Sequence, residues 1–143
     1  MNIASFKNRI TAFLIDLIII YLIAYGILLS LGIRINLTNL GLIAGFFSIL
    51  YFFFMWRLNS GRTIGMLCQK IRVRMVDGSE LDNNKLFLRA MLLAVVVAPI
   101  HGVFLLAVVN ILVSYGILKN PKENRLKQTI WDKVTDTVVV FQQ

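Results

Sequence analysis

Asp16 is the residue whose surroundings in the sequence most clearly suggest chemistry. It is the only charged residue in an apolar stretch that runs from about Ile10 to Ile33. A carboxylate near the centre of a membrane helix costs roughly 2.5–3.5 kcal/mol on insertion scales, and such groups often line ion or proton pathways. Arg9 lies on the same predicted helix face, two turns or about 10 Å away. Two interpretations follow: Asp16 is a cation or proton site, or it forms an ion pair with Arg9, Arg62 or Arg89 that locks helices together.

The other polar residues give no catalytic pattern. Asn110 and Ser114 are four positions apart in the last apolar stretch and share a helix face, where such pairs more often hydrogen-bond between helices than bind a ligand. The segment 61–65, with the sequence GRTIG, lacks the Gly-Lys-Ser/Thr ending of a phosphate-binding loop. There is one histidine, His101, and one cysteine, Cys68. We therefore expect no enzyme activity, no cofactor and no metal.

The composition indicates an integral membrane protein. Of the 143 residues, 58% are hydrophobic and 15% are charged, whereas average globular domains have about 25% charged residues. The mean hydropathy is +0.77. The net charge of +8 could indicate nucleic-acid binding, but basic residues that flank apolar segments are typical of membrane topology. We expect a single domain, residues 1–143, with no nucleic-acid partner.

Three apolar blocks, at about residues 10–33, 40–58 and 86–118, define the predicted helices. Spanning a bilayer takes roughly 20 residues, so each of the first two blocks predicts one crossing. The third block would be roughly 50 Å long as one helix, so Pro99 and Gly102 favour a hairpin of two short helices. The predicted fold is an all-α integral membrane protein with three to four transmembrane helices. Gly41 and Gly45 favour close packing of the first two helices and could support a homo-oligomer.

The basic residues predict the orientation. Two precede the first block, one lies in the loop after it, seven lie within residues 57–89 and five lie in the tail from residue 119. The positive-inside rule therefore places both termini in the cytoplasm, together with segments 57–89 and 119–143. That arrangement needs an even number of crossings, which again favours the hairpin.

Short elements are predicted within these two cytoplasmic segments. The alternation over Ile71–Val76, followed by Asp77 and Gly78, indicates a strand and a turn. The β-branched run Thr137–Phe141 indicates a second strand, and the two could form a small ribbon on the membrane face. Apolar residues at positions 126, 130 and 134 indicate a helix, which lies either in the headgroup layer or on the surface of this cap.

The order of these features resembles the RDD family of small membrane proteins. The likeness rests on Arg9 with Asp16, the segment 61–65, the strand and turn at 71–78, Arg89, and the closing segment 131–139. The one arginine and two aspartates of the family name correspond to Arg9, Asp16 and Asp132. Two positions differ, because the family commonly has histidine where Trp131 stands and Ala-Gly where the chain has residues 135–136.

The resemblance implies a small transporter, since some similar proteins are assigned sodium/proton antiport. The leading hypothesis is monovalent cation/proton exchange in a bacterial inner membrane, with Asp16 as the exchange carboxylate and Arg9 adjusting its affinity. Asp132 is then expected on the cytoplasmic side, paired with Arg62 or Arg89. Two alternatives stay open: a non-transporting scaffold or assembly factor whose basic cytoplasmic face binds anionic lipids or a protein, and an oligomeric channel.

Overall fold

The computed structural model describes residues 2–79, 81–97 and 128–141. Its elements in chain order are α1 (Phe6–Ser30), α2 (Leu37–Leu58), α3 (Ile64–Cys68), β1 (Ile71–Met75), α4 (Asn83–Val97), α5 (Ile130–Val134) and β2 (Thr137–Phe141). The predictions for Asn110, Ser114 and the hairpin near Pro99 lie outside the described residues, as does His101.

The first two helices begin and end at local sequence signals. The side chains of Ser5 and Asn36 cap α1 and α2 by accepting hydrogen bonds from backbone N–H groups three residues later. The first helix therefore starts before the apolar block, taking Lys7 and Arg9 into its first turns. It ends before Gly32, whose φ of 62° is a left-handed conformation that glycine adopts readily.

Both helices have the length and composition needed to cross a membrane. They also turn large apolar side chains away from the protein: Ile18, Leu22, Phe46 and Leu58 are between 62% and 76% exposed. A continuous apolar surface of this kind is suited to contact with lipid rather than water. The third block begins in α4, which is described only as far as Val97, so the number of crossings stays a prediction.

The second helix packs against both α1 and α4. Ile20 and Ala24 of α1, Phe52 and Trp56 of α2, and Ala90 of α4 belong to one buried core. Further along, the Tyr21 hydroxyl donates a 2.7 Å hydrogen bond to the Val97 carbonyl oxygen and so joins α1 to α4.

The two predicted strands form an antiparallel ribbon with Val73 opposite Val139. An isolated pair of strands is marginal in water, and two other parts of the chain support this one. At the start of the chain, Ala4 N–H donates to the Val139 carbonyl at 3.0 Å. On the other edge, the Gly61 carbonyl accepts from Val73 N–H at 2.8 Å. The strand prediction is confirmed, and the ribbon lies against the ends of the long helices.

The short helix α5 starts at a capping box, in which Thr129 and Asp132 exchange side chain to backbone hydrogen bonds. It covers the later part of the predicted apolar repeat. Val134, one member of that repeat, is 55% exposed. Position 126 lies outside the described residues, so both placements of the predicted helix stay open.

Candidate functional site

The carboxylate of Asp16 is buried and held by three neutral donors. The side chain is 1% exposed. The Tyr51 hydroxyl donates to Oδ1 at 2.7 Å, and the Thr63 hydroxyl donates to Oδ2 at 2.6 Å. The backbone N–H of Gly65 donates to Oδ1 at 2.8 Å.

Helix α3 brings two of these donors to Asp16. Thr63 is its N-cap and accepts a 3.2 Å hydrogen bond from Met66 N–H while donating to Asp16. Gly65 is in the first turn, where backbone N–H groups lack partners inside the helix. A side chain at Gly65 would collide with the backbone carbonyl of Ala12. Glycine therefore lets α3 press onto α1 closely enough for its N–H to reach the carboxylate.

The predicted ion pair of Asp16 with a nearby arginine is wrong for the described residues. Arg9 pairs elsewhere, and Arg62 donates its Nε–H to the Asn59 carbonyl oxygen at 2.9 Å. No lysine or arginine of the described chain forms a salt bridge with Asp16. Hydroxyl and amide groups satisfy the carboxylate instead, and no basic side chain within the described ranges pairs with it directly.

A separate buried ion cluster, which we call the arginine–aspartate triad, consists of Arg9, Asp132 and Arg89. Arg9 Nη1 lies 2.9 Å from Asp132 Oδ2, and Arg89 Nη1 lies 2.5 Å from Oδ1. Asp132 is fully buried, and the two arginine side chains are 10% and 6% exposed. The predicted pair of Asp132 with Arg89 is thus present, whereas Arg62 is not a partner and Arg9 is an unexpected one.

Further contacts fix the two arginines. Arg9 Nη2 donates to the Val139 carbonyl at 3.3 Å. Arg89 donates to the Thr137 hydroxyl, and its guanidinium carbon lies 5.3 Å from the centre of the Trp56 ring, a cation–π contact. The Nε atoms of both arginines are buried without a hydrogen-bond partner among the described residues, and Asp132 Oδ1 is satisfied there by its ion pair with Arg89.

The electrostatics of the triad favour the charged form of Asp132. Burial acts to raise the pKa of the carboxyl, but the charges of Arg89 and Arg9 and the hydrogen bonds from Thr129 outweigh it. The pKa therefore lies below its usual range. With two guanidinium groups and one carboxylate, the triad carries a net charge of +1 in a largely apolar setting.

Asp16 and the triad line the same cavity between α1 and α4, which we call the α1–α4 cleft. Its volume is about 340 Å³, and its walls include Arg9, Asp16, Arg89 and Asp132. Most of the remaining wall is apolar, with Phe13, Leu17, Phe52, Leu93 and Val96 among its residues. The fold thus brings four predicted charged residues to one cleft. Arg62 does not line it.

Residues 3–136 match the sequence model of the RDD family. The chain belongs to the RDD family. The match covers nearly all of the sequence and, with the two long apolar helices, identifies a membrane protein. The comparison with curated proteins gave no significant match, and neither did the comparison with solved structures.

Two places where this RDD protein departs from the common family pattern have structural counterparts. Trp131 stands where histidine is common, and it is one of the residues that line the α1–α4 cleft. Asp136 stands where glycine is common, and its φ of 50° is a left-handed conformation that favours glycine.

Sequence reasoning missed several partners at the site. Tyr51 and Trp56 both lie in the second apolar block, where their positions in the sequence do not mark them as partners of the charged residues. Thr63 and Gly65 belong to the segment 61–65, which was considered as a possible phosphate-binding loop and as part of the family resemblance. Its glycines gave no indication of a contact with Asp16. The described residues contain no group of three or more His, Cys, Asp or Glu that could hold a metal ion.

Proposed function

We propose that this RDD protein exchanges a monovalent cation for a proton at Asp16. The observation that carries the proposal is a buried carboxylate in a membrane-crossing helix. Its hydrogen-bond donors in the described part of the chain are all neutral, and it lies in the wall of a cleft. An isolated buried charge is costly in such a place, so binding either a proton or a metal cation would stabilise the carboxylate.

The chemistry requires that one site holds the two ions alternately. A protonated Asp16 releases its proton as a cation such as Na⁺ binds, and the reverse step reloads the proton. The hydroxyl groups of Tyr51 and Thr63 can rotate so that their oxygen atoms face the cation, while Gly65 N–H keeps one carboxylate oxygen in place. Carboxylate and hydroxyl oxygens are suitable ligands for hard cations.

The triad has a supporting role in this proposal. Its net charge of +1 faces the same cleft as ionised Asp16, so the cleft is neutral before a cation binds and carries +1 afterwards, which makes the entry of a second cation costly. The site would therefore hold one monovalent cation at a time. Because 143 residues show no internal repeat of the kind that builds many transporters, we further propose that two or more copies enclose the pathway.

The test is cation-driven proton movement in sealed vesicles that contain the full-length protein and an internal pH dye. Na⁺, K⁺ and Li⁺ are added outside in turn, with the membrane potential held at zero. We expect a cation-specific pH change in the wild type that is lost in Asp16→Asn. The matched control is Asp77→Asn, because Asp77 is an exposed acid in a turn outside the long helices.

Two other results of this experiment would contradict the proposed exchange. A current that depends on the cation, without a linked pH change, would indicate an oligomeric channel. The absence of any pH change in the wild type, in vesicles that respond to an added exchanger ionophore, would reject exchange.

The second candidate is a non-transporting scaffold or assembly factor. It is favoured by the triad, which ties together α1, α4 and α5 as a structural clamp would. In that case Asp16→Asn lowers the thermal unfolding midpoint, and vesicles that contain the wild-type protein show no cation-driven proton movement.

We also propose a bacterial inner membrane as the location, with both termini in the cytoplasm. Cys68, the single and exposed cysteine, lies at the ribbon end of the helices. A membrane-impermeant maleimide should label it only after the cells are permeabilised. Labelling of Cys68 in intact cells would contradict the proposed orientation and place this end of the helices outside the cytoplasm.

A further inference from the structure

A second cavity lies at the ribbon end of α2, which we call the arginine pocket. Its volume is about 390 Å³, and its walls come from the last turn of α2, the following loop, β1, the turn after β1 and the start of α4. Arg57, Arg72 and Arg74 line it, and none of the described residues in its wall is acidic. Apart from Trp56, it shares no lining residue with the α1–α4 cleft.

The strand places two of these arginines side by side. Arg72 and Arg74 are two positions apart on β1 and therefore point to the same face of the ribbon. Their partners across the ribbon are Val140 and Val138. Since these partners are apolar, no carboxylate on β2 neutralises the arginines.

Among the described residues, no carboxylate forms a salt bridge with the three arginines of the pocket. Arg72 Nε is buried and has no hydrogen-bond partner among the described residues. Burial and the charges of Arg74 and Arg62 lower the pKa of Arg72, which indicates that like charges crowd together. The Asp77 carboxylate is occupied by Ser79, whose backbone N–H and hydroxyl donate to it at 2.9 and 2.6 Å.

We propose that the arginine pocket binds a phosphate group. Guanidinium groups present planar, paired donors that match phosphate oxygens, and an anion would relieve the repulsion among these arginines. The headgroup of an anionic phospholipid is the favoured source, because Arg57 is in the last turn of a membrane-crossing helix, near the depth of lipid headgroups. A soluble phosphate compound offers the same chemistry. This site is independent of ion exchange at Asp16.

The test uses the fluorescence of Trp56, which lines the pocket, in full-length protein carrying Trp131→Phe. In detergent micelles the protein is titrated with short-chain phosphatidylglycerol, with phosphatidylcholine of the same chain length, and with inorganic phosphate. The variant is Arg72→Gln with Arg74→Gln. The matched control is Arg34→Gln, because Arg34 is an exposed arginine in the loop at the other end of the two long helices.

We expect saturable binding of phosphatidylglycerol that is stronger than that of phosphatidylcholine. The double variant should weaken it about tenfold or more, and Arg34→Gln should leave it unchanged. Saturable binding of inorganic phosphate without a lipid preference would uphold the phosphate site and assign it to a soluble ligand. The proposal is overturned if no arm gives saturable binding, or if the double variant binds as the wild type does.

A second variant covers the case in which the glutamine substitutions unfold the protein. Arg72→Lys with Arg74→Lys keeps both charges but removes the paired donors of the guanidinium group. We expect it to keep the unfolding midpoint of the wild type and to bind phosphatidylglycerol several-fold more weakly. Unchanged affinity in this folded variant would contradict phosphate recognition by the arginines.

Discussion

Arg9 and Asp132 are 123 positions apart in the chain, and Arg9 Nη1 donates a 2.9 Å hydrogen bond to Asp132 Oδ2. Arg89 approaches the other oxygen of the same carboxylate. The carboxylate of Asp132 therefore connects the beginning of α1, the middle of α4 and the start of α5. This connection joins the two ends of the sequence beside the α1–α4 cleft.

The first prediction concerns the loss of that carboxylate charge. Asp132→Asn leaves two buried guanidinium groups without a counter-charge, which typically costs about 3–5 kcal/mol of stability. The amide oxygen can still accept the Thr129 N–H and preserve the cap of α5. We expect a large drop in the unfolding midpoint, measured by tryptophan fluorescence in detergent micelles.

The control for this change is Asp136→Asn. Asp136 forms a 3.0 Å salt bridge with Lys85, but 69% of its side chain is exposed. Exposed ion pairs contribute roughly 0–1 kcal/mol, so this variant should unfold close to the wild type. An equal drop in the unfolding midpoint of the two variants would show that the buried triad contributes no more stability than an exposed ion pair.

The second prediction is a pH dependence of stability. The pKa of Asp132 is lower in the folded protein than in the unfolded chain, because the charges of Arg89 and Arg9 outweigh burial. Its contribution is therefore complete above about pH 4, the ordinary value for aspartate, and is lost as the pH falls through the lower folded value. Unfolding midpoints measured from pH 7 down to pH 3 should fall more steeply in the wild type than in Asp132→Asn. Parallel curves would mean that Asp132 does not titrate in this way.

The third prediction tests the contact of α3 with α1. In Gly65→Ala the new methyl group would collide with the Ala12 carbonyl, so α3 must move away and its N–H leaves Asp16. Forcing extra atoms into a packed site lowers the free energy of unfolding by roughly 1–3 kcal/mol. Because Asp16 also loses a hydrogen bond, cation-driven proton movement should fall as well.

Gly26→Ala is the matched control for Gly65→Ala. Gly26 lies within α1, and a side chain there meets no atom within 4 Å. Alanine is favoured over glycine inside a helix by about 1 kcal/mol, so the control should be as stable as the wild type or slightly more stable. A stable, fully active Gly65→Ala protein would contradict the close contact.

The sequence predicted best those features that depend on local patterns. Hydrophobic length identified α1 and α2, although the caps at Ser5 and Asn36 moved both starts toward the N-terminus. Alternating and β-branched residues identified β1 and β2 because strand preference is visible over five or six positions. Asp16 was recognised as the only charge in an apolar stretch, whereas Asp132 was recognised through the family resemblance.

The partners of these charges could not be predicted in the same way. An ion pair with an arginine was one of two interpretations of Asp16. The carboxylate instead meets Tyr51, Thr63 and Gly65, because the docking of α3 on α1 decides which donors reach it. For Asp132 the expected partner was Arg62 or Arg89, and Arg89 is the one that pairs with it. The sequence patterns gave no reason to choose Arg9, whose contact depends on the packing of the two ends of the chain.

The last prediction concerns Asp136, which has a φ of 50°. Left-handed backbone costs an ordinary residue roughly 1–2 kcal/mol, less for Asp and nothing for glycine. Asp136→Gly loses the exposed contact with Lys85 and relieves this conformational cost, so its unfolding midpoint should stay near that of the wild type. Asp136→Val loses the same contact and places a β-branched residue in the unfavourable conformation, so it should unfold at a clearly lower temperature. Because both variants lack the carboxylate, the loss of the Lys85 contact cancels in their comparison, and equal midpoints would contradict a left-handed conformation at residue 136.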